Sequence, residues 1–265
     1  MARKPAKANR RHPLATVVLI AIGLAFTGGG YALFTSTATA QTDTASSTSQ
    51  SSVDEGKKLF AANCATCHGM SLEGSTAGPA LLGVGAASVD FQVGTGRMPL
   101  AMQGPQAMEK PPQFTEEQTQ ALADYVASLS PGPAIPTDDQ LTANGNATNG
   151  GELFRINCAM CHNVAGAGGA LTEGKFAPSL TGVDSKYIYE AMLTGPQNMP
   201  VFNDHNITPE DKRDIITYLK YIQNNDSTGG YDLGNLGPVA EGLFIWIFGI
   251  GAVVALTVWL TAKSN

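Results

Sequence analysis

Charged side chains are scarce in this sequence. Only 14% of the 265 residues are Asp, Glu, Lys or Arg, against roughly 25% in an average soluble protein. This scarcity, together with a high content of Gly, Ala, Ser and Thr, argues against a purely cytosolic enzyme. Basic residues form no stripe beyond the first eleven positions, and the net charge is −6. A nucleic-acid-binding protein is therefore excluded.

The charges that are present divide the chain into a basic tip, a long acidic body and a basic end. Five basic residues lie between Arg3 and Arg11, and Lys263 follows the last apolar run. Between them, 10 basic and 22 acidic residues give the body a net charge of −12. Because positive residues concentrate on the cytoplasmic side of a membrane, we expect a cell-membrane protein with a cytoplasmic tip at residues 1–13 and an extracytoplasmic body.

Two apolar runs flank the body. Residues 14–34 carry no charge and are long enough to span a bilayer. They are either a retained transmembrane helix or a signal peptide cleaved after Ala40, and the length of the run favours the helix. Residues 243–262, with Trp246 and Trp259 near the two ends, predict a C-terminal transmembrane helix. If both helices are retained, the protein is multi-pass.

The body contains an internal repeat. Residues 55–68 align with 149–162, and residues 115–129 align with 208–222. A repeat of this length indicates two homologous modules rather than a stack of short repeats. The expected divisions are a flexible Ser/Thr-rich tether (35–52), a first module (53–130), a linker (131–148), a second module (149–225) and a connector (226–242).

Helices are expected throughout the two modules, because no segment alternates apolar and polar residues in the manner of a strand. Ser52 and Asn149 are each followed by a Glu at the third position, which predicts N-caps of the two opening helices. Thr115 and Thr208 are the expected N-caps of the two closing helices. The predicted fold class is therefore mainly α.

The four cysteines lie in two Cys-x-x-Cys-His motifs, which comprise Cys64, Cys67 and His68, and Cys158, Cys161 and His162. This spacing is the attachment signature of c-type haem, since two thiols on one helical turn can form thioethers while the histidine ligates the iron. A structural disulfide leaves the histidine unexplained, a thioredoxin-like dithiol needs an α/β domain, and a zinc site would ignore the duplication. The sequence thus predicts two covalently bound haem c groups.

A methionine thioether is the expected second iron ligand in each module. In the second module this residue is Met199, which precedes a proline, while Met192 is expected in the core. In the first module the choice lies between Met98, which also precedes a proline, and Met108, which follows a similar Gly-Pro-Gln string. The shared Met-Pro pair favours Met98, and residues 100–114 then form an insertion.

Each module resembles a small mono-haem cytochrome c domain. The resemblance implies that the main-chain carbonyls of Pro79 and Pro178 accept a hydrogen bond from the ligand histidines. It also implies that the opening and closing helices cross at conserved glycine and aromatic positions, here Gly56, Phe60 and Tyr125, and Gly150, Phe154 and Tyr218.

Nearly the full chain resembles the di-haem cytochrome cc subunits of actinobacterial cytochrome bcc complexes. The strings that carry this resemblance include Leu-Thr-Gly-Pro-Gln-Asn-Met-Pro ending at Pro200 and Gly-Gly-Tyr ending at Tyr231. The resemblance implies an electron-transfer subunit of a quinol–cytochrome c reductase, with no substrate-converting site of its own. Its implied partners are cytochrome b, a Rieske iron–sulfur subunit and a haem-copper terminal oxidase. Chain order suggests that electrons arrive at the first module.

Two other functions remain compatible with the motifs. A di-haem peroxidase needs one haem with an open sixth position, which two methionine candidates disfavour. The Ser/Thr-rich segment would permit a tethered electron shuttle, but a second anchor at the C-terminal run would restrict its movement.

Two further residues are of interest: His205 is expected to be solvated, and Arg97 faces either solvent or a haem propionate.

Overall fold

The structure, a computed structural model, describes residues 14, 17, 18, 20–25, 50–225 and 238–263. This part of the chain is mainly helical, as predicted. After a helical N-terminal stretch within residues 14–25, the helices are α1 (residues 50–63), α2 (Ala65–His68), α3 (Gly85–Gly94), α4 (Glu116–Leu129), α5 (Asp138–Leu141), α6 (Ala147–Asn157), α7 (Ala159–His162), α8 (Ser185–Thr194), α9 (Pro209–Asn224), α10 (Pro238–Phe244) and α11 (Gly251–Lys263). The basic tip, nearly all of the Ser/Thr-rich segment and residues 226–237 lie outside the described residues.

The opening and closing helices of each module cross at a glycine. A Cβ atom at Gly56 on α1 would overlap the carbonyl oxygen of Ala121 on α4. A Cβ atom at Gly150 on α6 would likewise overlap the carbonyl oxygen of Asp214 on α9. Each crossing therefore brings two helix backbones into contact, and only glycine leaves room for it.

A separate apolar core fills each module. The first consists of Phe60, Leu72, Val93, Leu122, Tyr125 and Val126. The second consists of Phe154, Ile188, Tyr189, Met192, Ile207, Ile215, Ile216 and Leu219. Next to each crossing an aromatic pair joins the two helices, with ring centroids 5.4 Å apart for Phe60 and Tyr125 and 5.6 Å apart for Phe154 and Tyr218. The crossing aromatics implied by the resemblance are thus in contact, and Met192 lies in the core as expected.

The predicted N-caps are right for the closing helices and wrong for the opening ones. Thr115 and Thr208 each cap their helix through a capping box. In contrast, Ser52 lies inside α1, and α6 begins at Ala147 because the side chain of Asn146 accepts hydrogen bonds from two main-chain amides of the first turn. Asn149 instead uses its side-chain amide to bind Asp214 on α9, at 2.8 Å. In the second module the N-cap is thus Asn146, three residues before the predicted one.

Short elements lie between the main helices. The predicted linker contains the one-turn helix α5, which begins with a capping box at Thr137. In the second module, strand β1 (Gly169–Ala170) pairs antiparallel with strand β2 (Phe176–Ala177). Because each strand has only two residues, it is too short to leave an alternating pattern in the sequence.

The C-terminal apolar run forms a helix, as predicted. Among the described residues, Ala240–Lys263 is the only helix long and apolar enough to cross a membrane. It includes a π-helical stretch, Ile245–Ile250, and its large apolar side chains are exposed.

The two modules meet where α3 packs against α8. The ring of Phe91 contacts that of Tyr187 edge to face, with centroids 6.2 Å apart. Beside them, Lys186 Nζ lies 2.7 Å from the carboxylate Oδ2 of Asp90, whose side chain is almost completely buried. Because Asp90 is buried while Lys186 is partly exposed, removing Lys186 would leave an uncompensated buried charge. The contact between the modules thus combines an aromatic ring contact with an ion pair.

A second carboxyl group is buried at this contact. Glu190 on α8 is fully buried, and neither carboxyl oxygen has a hydrogen-bond partner among the described residues. Burial, and then the charge of nearby Asp90, raises the pKa of Glu190 to about 10, against the opposing charge of Lys186. Glu190 is therefore protonated at neutral pH.

We expect the Glu190→Gln variant to lose less stability than the wild type as the pH rises from 5 to 8. A Glu in the unfolded chain loses its proton near pH 4.3, whereas Glu190 in the folded protein keeps it up to about pH 10. Between these values the folded state binds one proton more than the unfolded chain. The free energy of unfolding of the wild type therefore falls with rising pH, by up to about 1.4 kcal/mol per pH unit. Denaturant unfolding at several pH values measures this slope.

The exposed Glu152 provides a matched control. Glu152→Gln should follow the wild-type pH dependence between pH 5 and 8. If Glu190→Gln also runs parallel to the wild type, Glu190 does not retain its proton in the folded protein.

Candidate functional site

The two Cys-x-x-Cys-His motifs adopt the same local conformation. Cys64 and Cys158 each stand between two helices, with φ of −120° and ψ of −35° in both cases. The break turns the chain into the one-turn helices α2 and α7, which end at His68 and His162. In each module both thiols and the imidazole are therefore carried by a single turn that follows the opening helix.

All four cysteines are free thiols, so no disulfide closes either motif. Burial, and secondarily the neighbouring cysteine, raises the pKa of Cys64 to about 11 and that of Cys158 to about 11. A raised pKa disfavours the thiolate on which a redox-active dithiol depends. The free thiols and the raised pKa thus disfavour two of the other interpretations of the motif, the structural disulfide and the redox-active dithiol.

Both motif histidines are oriented by a main-chain carbonyl. His68 Nδ1 lies 2.8 Å from the carbonyl oxygen of Pro79, and His162 Nδ1 lies 2.9 Å from that of Pro178. Because only a protonated Nδ1 can donate to a carbonyl, Nε2 carries the free lone pair. Burial lowers the pKa of His162, partly offset by the bond to Pro178, which favours the neutral, metal-binding form. The contacts implied by the resemblance are present.

The methionines that precede a proline lie against the cores, in contrast to those of the insertion. Met98 packs against the first core and Met199 against the second. Met108 is 56% exposed and Met102 is 78% exposed. The main-chain amide of Met98 donates to the carbonyl of Gln92 at 2.8 Å, which ties the Met-Pro loop to α3.

A cavity of about 530 Å³ in the second module brings the predicted residues together. Its lining includes Cys158, Cys161, His162 and Met199. Thiols that can form thioethers, an imidazole with a free Nε2 and a thioether thus face one apolar space. This donor set and this volume fit a covalently attached haem. The first module repeats the arrangement in that both Cys64 and Met98 pack against its core.

The first module also contributes to the lining of this cavity, which the sequence did not predict. Arg97, Gln106, Glu109 and Lys110 belong to the first module but line the cavity of the second. The side-chain amide of Gln106 forms two hydrogen bonds with the main chain of Phe176 on β2, at 2.9 and 3.0 Å. Residues 100–114 therefore connect the two modules. No local sequence pattern predicts this contact, because its partners are 70 residues apart in the chain.

His205 takes no part in the site. It is exposed in the loop before α9, where its main-chain amide donates to the side chain of Asn203. The prediction of a solvated histidine agrees with this position.

Comparison with known proteins supports a cytochrome c fold in both modules. Residues 53–130 match the family described as cytochrome c, and residues 145–219 match the family described as subunit III of cbb3-type cytochrome c oxidase. The two matches cover the two modules separately, as expected for a tandem arrangement.

Several relatives match nearly the whole chain. The cytochrome bc1 complex cytochrome c subunit of Corynebacterium efficiens is 43% identical over 97% of this chain and 92% of its own. The subunit of the same name from Corynebacterium diphtheriae is 41% identical over 98% and 99%, and that from Mycobacterium bovis is 42% identical over 96% and 92%. Together with the two haem-binding motifs, these matches show that the chain belongs to the family of cytochrome c subunits of the cytochrome bc1 complex.

Proposed function

We propose that this chain relays electrons from the Rieske iron–sulfur subunit of a quinol-oxidising membrane complex to a haem-copper terminal oxidase. The observation that carries the proposal is the duplication of one complete donor set, with two thiols, an oriented imidazole and a core-packed methionine in each module. Both sets lie in modules held together by a buried contact. Such a chain needs no acid, base or substrate pocket, because its function is to hold two redox centres in series.

Each module would attach one haem c through its two thiols. The Nε2 atoms of His68 and His162 and the sulfur atoms of Met98 and Met199 would ligate the iron. The bound group supplies one-electron redox chemistry, and a methionine ligand favours its reduced form. The protein fixes the imidazole through the proline carbonyl and excludes water by packing the methionine against the core.

The two apolar runs are proposed to anchor the protein in the cell membrane, with both modules on the extracytoplasmic side. The length and composition of Ala240–Lys263 and the basic residues at both ends of the chain support this orientation. Anchoring would keep the modules close to the quinol-oxidising subunits, where a freely diffusing carrier is unnecessary. From chain order we propose that electrons arrive at the first module.

The peroxidase alternative is less well supported. It requires a haem whose sixth position is open to peroxide. Since both Met98 and Met199 pack against their cores, each module has a candidate to fill that position. A peroxidase would therefore have to displace one of them.

Affinity purification of the full chain from its native membranes in mild detergent tests the relay. Mass spectrometry should identify cytochrome b, a Rieske protein and oxidase subunits, and the N-terminal mass shows whether residues 1–40 are retained. Isolation of a lone chain that reduces peroxide and does not respond to quinol would overturn the proposal.

The methionine ligand of the first module can be identified by spectroscopy. We expect Met98→Ala to abolish the sulfur-to-iron charge-transfer band of one haem, because the thioether that packs against the core is lost. Met108→Ala is the control, since Met108 is largely exposed and its removal should leave the spectrum unchanged. The reverse pattern would assign the ligand to Met108 instead.

A further inference from the structure

Arg97 is a buried cation whose single ion-pair partner, within the described part of the chain, is weak. The residue is only 8% exposed, and its guanidinium stacks 4.9 Å above the centroid of the Phe91 ring. Among the described residues its one ion-pair partner is Glu109, at 3.5 Å, and that carboxylate is largely exposed. A guanidinium has five N–H donors, so most of its hydrogen-bonding capacity is unused.

The guanidinium belongs to the first module but lines the cavity of the second. Phe91, on which it stacks, also lines that cavity and contacts Tyr187 of the second module. The next residue in the chain, Met98, packs against the core of the first module. Arg97 and Met98 thus lie at the boundary between the two modules. The side chain of Arg97 lines the cavity of the second module, and that of Met98 packs against the core of the first.

The second module has no equivalent cation of its own. The residue that precedes Met199 is Asn198, whose side chain accepts a hydrogen bond from Lys175 at 3.2 Å. The other lysine on the cavity lining, Lys110, donates to the carbonyl of Pro99 at 2.7 Å and to that of Gly96. Arg97 is therefore the least satisfied cation among the described residues that line this cavity.

A buried guanidinium with free donors is stabilised best by a carboxylate, which it binds through two parallel hydrogen bonds. The fitted occupant of this cavity, haem c, carries two propionate carboxylates. We propose that Arg97 of the first module binds a propionate of the haem attached to the second module. This inference rests on the proposed haem occupancy, and it makes Arg97 a positioning residue shared by the two redox centres.

The bridge formed by the insertion supports this assignment. Gln106, paired with Phe176 on β2, holds the insertion against the second module. Lys110 ties the same insertion to the loop that carries Arg97. The position of the guanidinium is thus fixed with respect to the second module by contacts on both sides.

Redox titration of the intact purified chain, with both haems attached, tests the proposal in the variants Arg97→Gln and Arg97→Lys. The titration wave that moves in a Met199→His variant is assigned to the second haem. In Arg97→Gln the ferrous-to-ferric ratio of that haem, at a fixed ambient potential, should fall about three- to tenfold, because a positive charge near a haem favours its reduced form. Arg97→Lys, which retains the charge, should recover most of the ratio.

Lys58→Gln removes one charge from an exposed position of the first module and should move neither wave. A shift confined to the first haem in Arg97→Gln, or no shift in either haem, would overturn the proposal. If Arg97→Gln does not fold, Arg97→Met takes its place, because its apolar side chain can still pack on Phe91; the ratio of the second haem should fall in the same way, and no shift of that haem would overturn the proposal. Failure to find two haems per chain in the wild type would instead refute the proposed cofactor content.

Discussion

Replacement of both Cys158 and Cys161 by alanine is expected to halve the covalently bound haem and to unfold much of the second module. The cavity between these residues and Met199 has a volume of about 530 Å³. Without haem, the apolar side chains that line this cavity would be exposed to water instead of buried against the group. A small domain has a total stability of only about 5–15 kcal/mol, so we expect this loss of apolar burial to unfold much of the module.

Haem staining of the denatured chain and limited proteolysis of the native chain measure the two effects. The matched control is the Cys64→Ala, Cys67→Ala variant, which should lose the other haem and keep the second module resistant to protease. Two covalent haems in the Cys158→Ala, Cys161→Ala variant, or an intact second module without its haem, would show that these thiols do not anchor the group that completes the core.

Replacement of Gly150 by valine should strongly destabilise the second module. A Cβ atom at this position overlaps the main-chain carbonyl of Asp214 on α9, and neither backbone can give way without separating α6 from α9. Overpacking of a core commonly costs about 1–3 kcal/mol, and a clash between two backbones belongs at the upper end of that range. Separation of the helices would also pull apart the Phe154–Tyr218 ring pair.

Denaturant unfolding monitored by haem absorbance measures the loss. Glu152→Val places the same β-branched side chain on the exposed face of the same helix, so it controls for helix propensity and should change stability by less than about 1 kcal/mol. Equal losses in the two variants would refute the close crossing of α6 and α9.

The local chemistry of the site could be predicted from sequence because it depends on residues close together in the chain. The Cys-x-x-Cys-His spacing places both thiols and the imidazole on one helical turn, whatever surrounds it. The proline carbonyls that orient His68 and His162 lie 11 and 16 residues downstream and were identified through the family resemblance. The closing helices were likewise predicted from their capping residues, Thr115 and Thr208.

The features that sequence reasoning missed depend on contacts between distant residues. The cap of α6 was misplaced because Asn146 accepts hydrogen bonds from the first-turn amides, while Asn149 binds Asp214, 65 residues away. Nothing near Gln106 indicates that its amide pairs with Phe176, and nothing near Glu190 indicates that Asp90 lies beside it. Such contacts arise only when segments distant in the chain pack together, which no local pattern encodes.

The most direct test of the electron relay is rapid mixing of the purified, oxidised complex with quinol under anaerobic conditions, followed by oxygen. We predict that both c-type haems of this chain become reduced at least as fast as the complex turns over, and that oxygen then reoxidises both. If the complex consumes oxygen with quinol while either c-type haem remains oxidised or fails to turn over, the chain is not the relay proposed here.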